Sequence, residues 1–298
     1  MRISLLVLVV AALPVAAQVV GPTSGYVFAP ETRELRPIRG MVGTAYLGDA
    51  LVKDADSVAV SSDGTLAAVA RNGAVELIRG FDSGTPVRLA LAEEAGSVLL
   101  AWSGDDLAAV FVASRRAMVW RKGSAADSVS LAGVDGAIRG VLLDGDNLVI
   151  AADGGLFLSR KGETRRLVAL TEPSAVIRSG KDLLVADRGA SQVTMVRDYA
   201  GEAPSPATFA SVGQPVGLQL TARHLLVASA ATRSVEAFDL LSHDRVSSLE
   251  LDFVPTRLEG LGGRPLALLN QGAADEPLYV LDAKDALRVY FVPAGRNQ

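Results

Sequence analysis

The sequence predicts an all-β fold, a β-propeller in which four-stranded blades stand in a ring. Two observations support this prediction. One segment pattern recurs six times at intervals near 40 residues, and each segment consists of short apolar runs separated by Gly, Pro, Asp and Ser. Repeats of about 40 residues built from strands are typical of propellers. After residue 17 no sustained 3.6-residue period indicates an amphipathic helix.

The six copies align on a leucine that opens an apolar run. They read "SSDGTLAAVA", "WSGDDLAAVF", "LDGDNLVIAA", "RSGKDLLVAD", "LTARHLLVAS" and "GLGGRPLALL". The register leucines are Leu66, Leu107, Leu148, Leu183, Leu225 and Leu266. Their spacings of 41, 41, 35, 42 and 41 residues indicate one repeated structural unit.

Each unit contains four apolar stretches of strand length. In the fourth unit they are Ala175–Ile177, Leu183–Ala186, Val193–Val196 and roughly Ala207–Val212. Short runs bounded by turn residues predict strands rather than helices. The second stretches are rich in Ala, Val and Leu, which predicts strands buried on both faces between neighbouring blades.

The N-terminal segment "GYVFAPETRELRPIRG" (25–40) resembles the outer hairpin of the other units, so we expect a half-blade there. The six full repeats, about 56–292, together with this half-blade favour a seven-bladed ring. A six-bladed ring with the hairpin packed outside is the alternative. Residues 41–55 fit no repeat position.

The first residues predict export. Arg2, the apolar run Ile3–Leu13 and the small residues Val15–Ala17 form the pattern of a secretory signal peptide over residues 1–17. We expect residues 18–298 to form a single propeller domain in the periplasm or outside the cell.

Loss of Arg2 changes the formal net charge from −4 to −5, and an acidic protein has no electrostatic attraction for nucleic acid. No later apolar run is long enough to insert into a membrane, and the chain contains no Cys that would form disulfides.

Two stretches resemble known repeat families. "LLVADRGASQVTMV" (183–196) is similar to the blade pattern of YVTN-type bacterial propellers, and "SSDGTLAAVA" (61–70) is similar to the turn of WD40-like blades. The resemblance covers about residues 56–292. It implies an exported repeat protein, in families that include binding and scaffold proteins and a few lactonases.

The sequence offers little for catalysis. Its only histidines, His224 and His243, fall in predicted turns of different units. No nucleophile elbow, zinc-protease motif or phosphate-binding loop occurs, and "DADS" and "DGDN" lack the converging oxygen ligands of a calcium loop. We therefore expect no catalytic residues, no bound metal and no cofactor.

Arginines gather at one predicted mouth of the channel. Arg139 and Arg257 lie nine residues before their register leucines, near the start of first strands. Arg71, Arg115, Arg188 and Arg233 lie in the loops between second and third strands, which share that face. Because arginine captures carboxylates and phosphates bidentately, we expect these six residues to bind a ligand, with pairing to nearby acidic residues as the alternative.

The sequence thus favours a non-catalytic exported propeller that acts as a binding scaffold for an unknown protein or an anionic small molecule. Two alternatives remain: a lactonase-like metal-dependent hydrolase, and a purely structural component of the cell envelope. The hydrolase requires a cluster of metal ligands at the channel mouth.

Cleavage after Ala17 leaves Gln18 as the first residue of the exported protein. We expect intact-mass spectrometry of protein recovered from the periplasm or medium to match residues 18–298. Recovery there of a chain that retains Met1 would contradict the signal-peptide assignment.

Overall fold

The computed structural model describes residues 22–41, 43–83, 85–122, 126–262, 265–270 and 276–293. The predicted signal peptide, residues 1–17, lies outside these ranges. Within them the chain forms strands and connecting turns without helices. None of the described residues forms a helix of the length and apolarity that a membrane span requires.

The strands form seven sheets arranged as a seven-bladed β-propeller. Six sheets have four antiparallel strands, and the first has three. Blade 1 contains β1 (Thr23–Ala29), β2 (Glu34–Arg39) and β3 (Tyr46–Leu47). Blade 2 contains β4 (Ser57–Val60), β5 (Leu66–Arg71), β6 (Ala74–Arg79) and β7 (Val87–Glu93). Blade 3 contains β8 (Val98–Ser103), β9 (Asp106–Phe111), β10 (Arg116–Trp120) and β11 (Asp127–Ser130).

The remaining four blades each follow one chain segment from the innermost strand to the outermost. Blade 4 contains β12 (Ile138–Asp144), β13 (Asn147–Ala152), β14 (Gly155–Arg160) and β15 (Glu163–Val168), and blade 5 contains β16 (Pro173–Ser179), β17 (Asp182–Asp187), β18 (Gln192–Arg197) and β19 (Ser205–Ser211). Blade 6 contains β20 (Pro215–Leu220), β21 (His224–Ser229), β22 (Ser234–Asp239) and β23 (Arg245–Glu250), and blade 7 contains β24 (Glu259–Gly260), β25 (Leu266–Leu268), β26 (Leu278–Asp282) and β27 (Arg288–Val292).

The expected seven-bladed ring is confirmed, but the N-terminal hairpin takes a different place in its blade. A backbone hydrogen bond that recurs in several blades identifies the turn between the second and third strands. The N–H of a residue that follows the fourth strand donates to the carbonyl oxygen of a residue in that turn, and this turn residue has positive φ. This bond joins Leu131 to Arg115, Val212 to Ser191 and Leu251 to Arg233 at 2.8–3.1 Å. In blade 1 the same bond joins Ala55 N to Arg33 O at 3.0 Å, and Arg33 has φ 57°.

Strands β1 and β2 are therefore the second and third strands of blade 1, and not an outer hairpin. Residues 41–55, which matched no repeat position, contain the blade's short fourth strand β3 and the connection to blade 2. Among the described residues blade 1 lacks a first strand, so Tyr26 and Phe28 of β1 line the channel directly.

The core lies between the blades. Side chains of a strand alternate between its two faces, and in second strands such as β17 both faces are buried against neighbouring blades. Seven separate apolar clusters fill the seven interfaces. Aliphatic side chains dominate these clusters, as the low aromatic content of 5% requires.

In blades 4, 5 and 6 the register leucines occupy equivalent positions in the second strand. In blades 2 and 7 the equivalent position lies one residue after the register leucine. Leu148, Leu183 and Leu225 are almost fully buried and face the preceding blade. In blades 2 and 7 strand pairing gives this position to Ala67 and Ala267, not to the neighbouring leucines.

Blades 1 and 7 meet by side-chain packing. Val27 and Ile38 of blade 1 lie in one cluster with Leu261, Leu266 and Leu268 of blade 7. Gly25 takes the place that Leu183 has in blade 5, and a Cβ there would lie 3.1 Å from Cβ of Leu261. We call this interface the seam, because it joins the two ends of the described chain.

Truncation of a register leucine tests the interface core. We expect Leu183→Ala to lower the free energy of unfolding by about 2–5 kcal/mol, because burial is lost and a cavity remains. Leu241→Ala is the control, since Leu241 is 94% exposed and should change stability by less than about 0.5 kcal/mol. Denaturant melts in which both variants lose equal stability would contradict the blade register.

Candidate functional site

One face of the ring carries the connections between blades and the turns between second and third strands; we call it the arginine face. All six predicted ligand-binding arginines belong to it by their place in the topology. Arg139 and Arg257 lie at the start of first strands three blades apart. The other four lie at the ends of second strands or in the turns that follow.

Arg139 is paired with a carboxylate of its own blade. Its Nε and Nη2 donate to the two carboxylate oxygens of Asp153 at 2.9 and 2.8 Å. These hydrogen bonds raise the pKa of Arg139 and lower the pKa of Asp153. Because both groups are substantially exposed, the pair adds little to stability, but an incoming anion has to compete with Asp153 for the guanidinium group.

Arg257 is largely buried, with its side chain 16% exposed. Its Nε donates to the backbone oxygen of Asn270 at 2.8 Å, and its Nη1 donates to Glu259 at 3.0 Å. Burial lowers the pKa of Arg257 and its interactions with Glu259 oppose that shift. Its Nη2 is buried and has no hydrogen-bond partner among the described residues.

Arg71 and Arg115 tie neighbouring segments together. Arg71 donates from Nε to the backbone oxygen of Lys53 at 3.2 Å and forms an ion pair with Glu76. Burial, followed by repulsion from Arg88, lowers the pKa of Arg71. Arg115 donates from Nη2 to the backbone oxygen of Gly136 at 2.8 Å and from Nη1 to that of Val134. Both bonds of Arg115 brace the connection from blade 3 to blade 4.

The last two arginines, Arg188 and Arg233, are exposed, as Arg139 is. Arg188 approaches Glu172 at 3.6 Å, and both side chains are about half exposed. Arg233 is exposed, and its side chain forms no hydrogen bond or ion pair within the described ranges. The structure thus gives partners to five of the six arginines. Their role in ligand binding stays a prediction, in which an anion replaces some of those partners.

The wall of the central channel is mixed, with apolar first-strand side chains and a larger share of polar surface. Its cavity of about 720 Å³ is lined along the middle by Val58, Leu100, Val141 and Val176 from first strands, together with Phe28 of β1. Ser24, Ser61 and Ser62 line it too, so the channel offers polar as well as apolar contacts.

Two carboxylates line the channel, and both already have partners. Glu259 accepts from Arg257, and Asp63 accepts from the hydroxyl of Ser61 at 2.6 Å and from Thr65. These hydrogen bonds, first that from Ser61, lower the pKa of Asp63. Across the described ranges no three His, Asp or Glu side chains come close enough to hold a metal ion.

The cleft between blades 2 and 3 contains both tryptophans of the chain. Cross-strand pairing places Trp102 and Trp120 on either side of Leu107, so the three side chains form one row. Leu77 and Leu89 of blade 2 face this row across a cleft of about 700 Å³. The indole N–H of Trp102 donates to the backbone oxygen of Ala59 at 2.9 Å, which fixes its orientation.

The cleft continues onto an exposed apolar strip. The outermost strand of blade 2, β7, reads "VRLALAE", and Val87 and Leu89 are 66% and 58% exposed. The outermost strands of blades 3 and 4 read "DSVS" and "ETRRLV" and are far more polar. Exposed apolar side chains beside an aromatic-lined cleft are typical of binding surfaces. Arg79, Asp105 and Lys122 add charges of both signs to the lining.

Sequence reasoning located the arginine face and missed the tryptophan cleft. One feature of the sequence pointed to the cleft: the fourth stretch of the first repeat is apolar. An outermost strand is expected to be polar on its solvent side, so an apolar one indicates a surface that something covers. Trp102 and Trp120 each pair with Leu107, so predicting that they lie in one row requires the register of three strands. The leucine alignment alone does not supply that register.

No known protein family and no curated protein matches this chain in sequence. Solved structures match its fold. A computationally designed protein, Ika8, is 14% identical with a TM-score of 0.63, over 93% of this chain and 85% of that one. The β-propeller domain of Cps50 (Swd1) from Myceliophteria thermophila is 15% identical with a TM-score of 0.61, over 82% and 88%.

A structure of virginiamycin B lyase from Staphylococcus aureus is 13% identical with a TM-score of 0.59, over 80% of this chain and 84% of that one. At these identities the likeness shows the propeller fold alone. Designed proteins, a propeller domain and a lyase share the architecture, so fold does not assign function.

Proposed function

We propose that this protein is a non-catalytic, exported β-propeller that binds a partner protein through the tryptophan cleft between blades 2 and 3. The observation that carries the proposal is the exposed strip of Val87 and Leu89 beside the two tryptophans. A partner that covers this strip removes apolar surface from water, which favours association by about 25 cal/mol per Å² of area buried, before the entropic costs of binding.

Packing between neighbouring blades supports this role. Blades 2 and 3 are fixed by the cluster of Ala70, Val75, Val98, Ala109 and Phe111 beneath the cleft. A preformed cleft loses less conformational entropy when a partner binds, so more of the interaction energy contributes to affinity. The signal-peptide pattern of residues 1–17 supports a place in the periplasm or outside the cell.

Charge substitution in the strip tests the proposal. We expect wild-type protein, immobilised and exposed to envelope extract, to retain at least one partner that Leu89→Glu fails to retain, because a buried unpaired carboxylate opposes association. The matched control is Leu241→Glu, which introduces the same charge at a leucine that is 94% exposed on blade 6.

Retention by wild type and Leu241→Glu, with loss in Leu89→Glu, would support the cleft as the binding site. Equal retention by all three proteins would contradict it. Circular dichroism of both variants is needed alongside, and we expect it unchanged because each substituted side chain is exposed.

A further inference from the structure

A second cleft, between blades 6 and 7, exists because small side chains occupy both of its walls. On blade 6, Ala237 of β22 pairs with Leu226 and faces blade 7. The equivalent residues of five other blades are larger: Leu77, Val119, Leu158, Met195 and Val280. Ser247, which pairs with Ala237, extends the row of small residues.

The facing wall of blade 7 is reduced in the same way. There Ala267 pairs with Gly260; Gln219 of blade 6 fills the space beside Gly260, so Ala267 is the small residue that borders the cavity. At the corresponding pair blade 4 has Leu143 and Leu148, and blade 6 has Leu220 and Leu225. Small residues on both walls leave a cavity of about 710 Å³ whose lining includes Leu226, Leu281 and Leu287. Wall atoms next to such a space lose dispersion contacts that a ligand can supply.

The mouth of this cavity carries two exposed cationic side chains. Arg223 and Lys284 line it, both are exposed, and neither side chain forms an ion pair with another described residue. His224 and Asp285 line it too, and Asp285 is the one acidic side chain among the described residues of the lining. Asp239, nearby, accepts through one carboxylate oxygen from the backbone N–H groups of Leu241 and Ser242, and these bonds, followed by the charges of His224 and Arg223, lower its pKa.

We propose that this cavity binds a small apolar molecule that carries a carboxylate. The apolar part lies between blades 6 and 7 in the space left by Ala237 and Ala267. The carboxylate lies at the mouth, where Arg223 and Lys284 offer charge-assisted hydrogen bonds. This site is separate from the tryptophan cleft, so it stands or falls independently of the proposed partner.

The probe is 2-naphthoate, a flat apolar carboxylate, and the matched neutral compound is 2-naphthamide. We expect calorimetry to show that wild-type protein binds 2-naphthoate roughly tenfold more tightly than 2-naphthamide, since one charge-assisted hydrogen bond corresponds to about that ratio. Arg223→Gln should remove most of this preference. Asp285→Asn should tighten binding of 2-naphthoate severalfold, because a like charge at the mouth is lost.

Ala237→Leu is the decisive variant, because it fills the cavity with a side chain that blades 2 and 4 carry at this position. We expect it to fold, to melt at the wild-type temperature or above, and to bind 2-naphthoate at least tenfold more weakly. Ser247→Leu, on the neighbouring strand, blocks the same space if Ala237→Leu fails to fold. Leu89→Glu, in the tryptophan cleft, should bind like wild type.

Three results would overturn the proposal. They are an absence of heat with 2-naphthoate and wild-type protein, equal affinity for 2-naphthamide, and wild-type affinity in a folded cavity-filling variant. Loss of 2-naphthoate binding in Leu89→Glu, with retention in Ala237→Leu, would also overturn it by placing the probe in the tryptophan cleft.

Discussion

Burial of both faces of the second and third strands is the constraint on which this structure depends. A blade taken alone would expose the side chains of β13 or β17 on both sides, so each blade needs two neighbours. That requirement can be met for every blade only if the sheets form a closed ring. The seam between blades 1 and 7 therefore matters as much as any interface within the chain, although its residues are more than 200 positions apart. Val27 and Ile38 meet Leu261, Leu266 and Leu268 there by packing alone among the described residues.

The sequence predicts the repeat well because burial on both faces has a strong signature. A run of Ala, Val and Leu between polar turns, repeated at intervals of 35 to 42 residues, indicates second strands. Its failures have physical causes. Alignment on leucine shifted blades 2 and 7 by one residue, because the interface positions there are Ala67 and Ala267. The position of the N-terminal hairpin within its blade was predicted wrongly because any two paired strands show similar alternation. The hydrogen bond from Ala55 to Arg33 distinguishes them.

The candidate sites were less accessible to sequence reasoning. The repeat predicted six arginines on one face, and their partners depend on tertiary contacts such as those of Arg115 with the backbone of the next connection. The tryptophan cleft and the space beside Ala237 are properties of two blades at once. Each becomes visible only when the residues that face a shared interface are known. The seven interfaces thus share one backbone arrangement and differ in the side chains that fill them.

The central claim is that packing at the seam closes the ring and makes its two ends depend on each other. Hydrogen exchange followed by mass spectrometry in the variant Ile38→Ala tests this most directly. The account predicts faster amide exchange in β1 and β2 and also in β25 and β26 of blade 7, because both sides lose the same contact. Faster exchange confined to blade 1, with blade 7 protected as in wild type, would contradict closure through the seam.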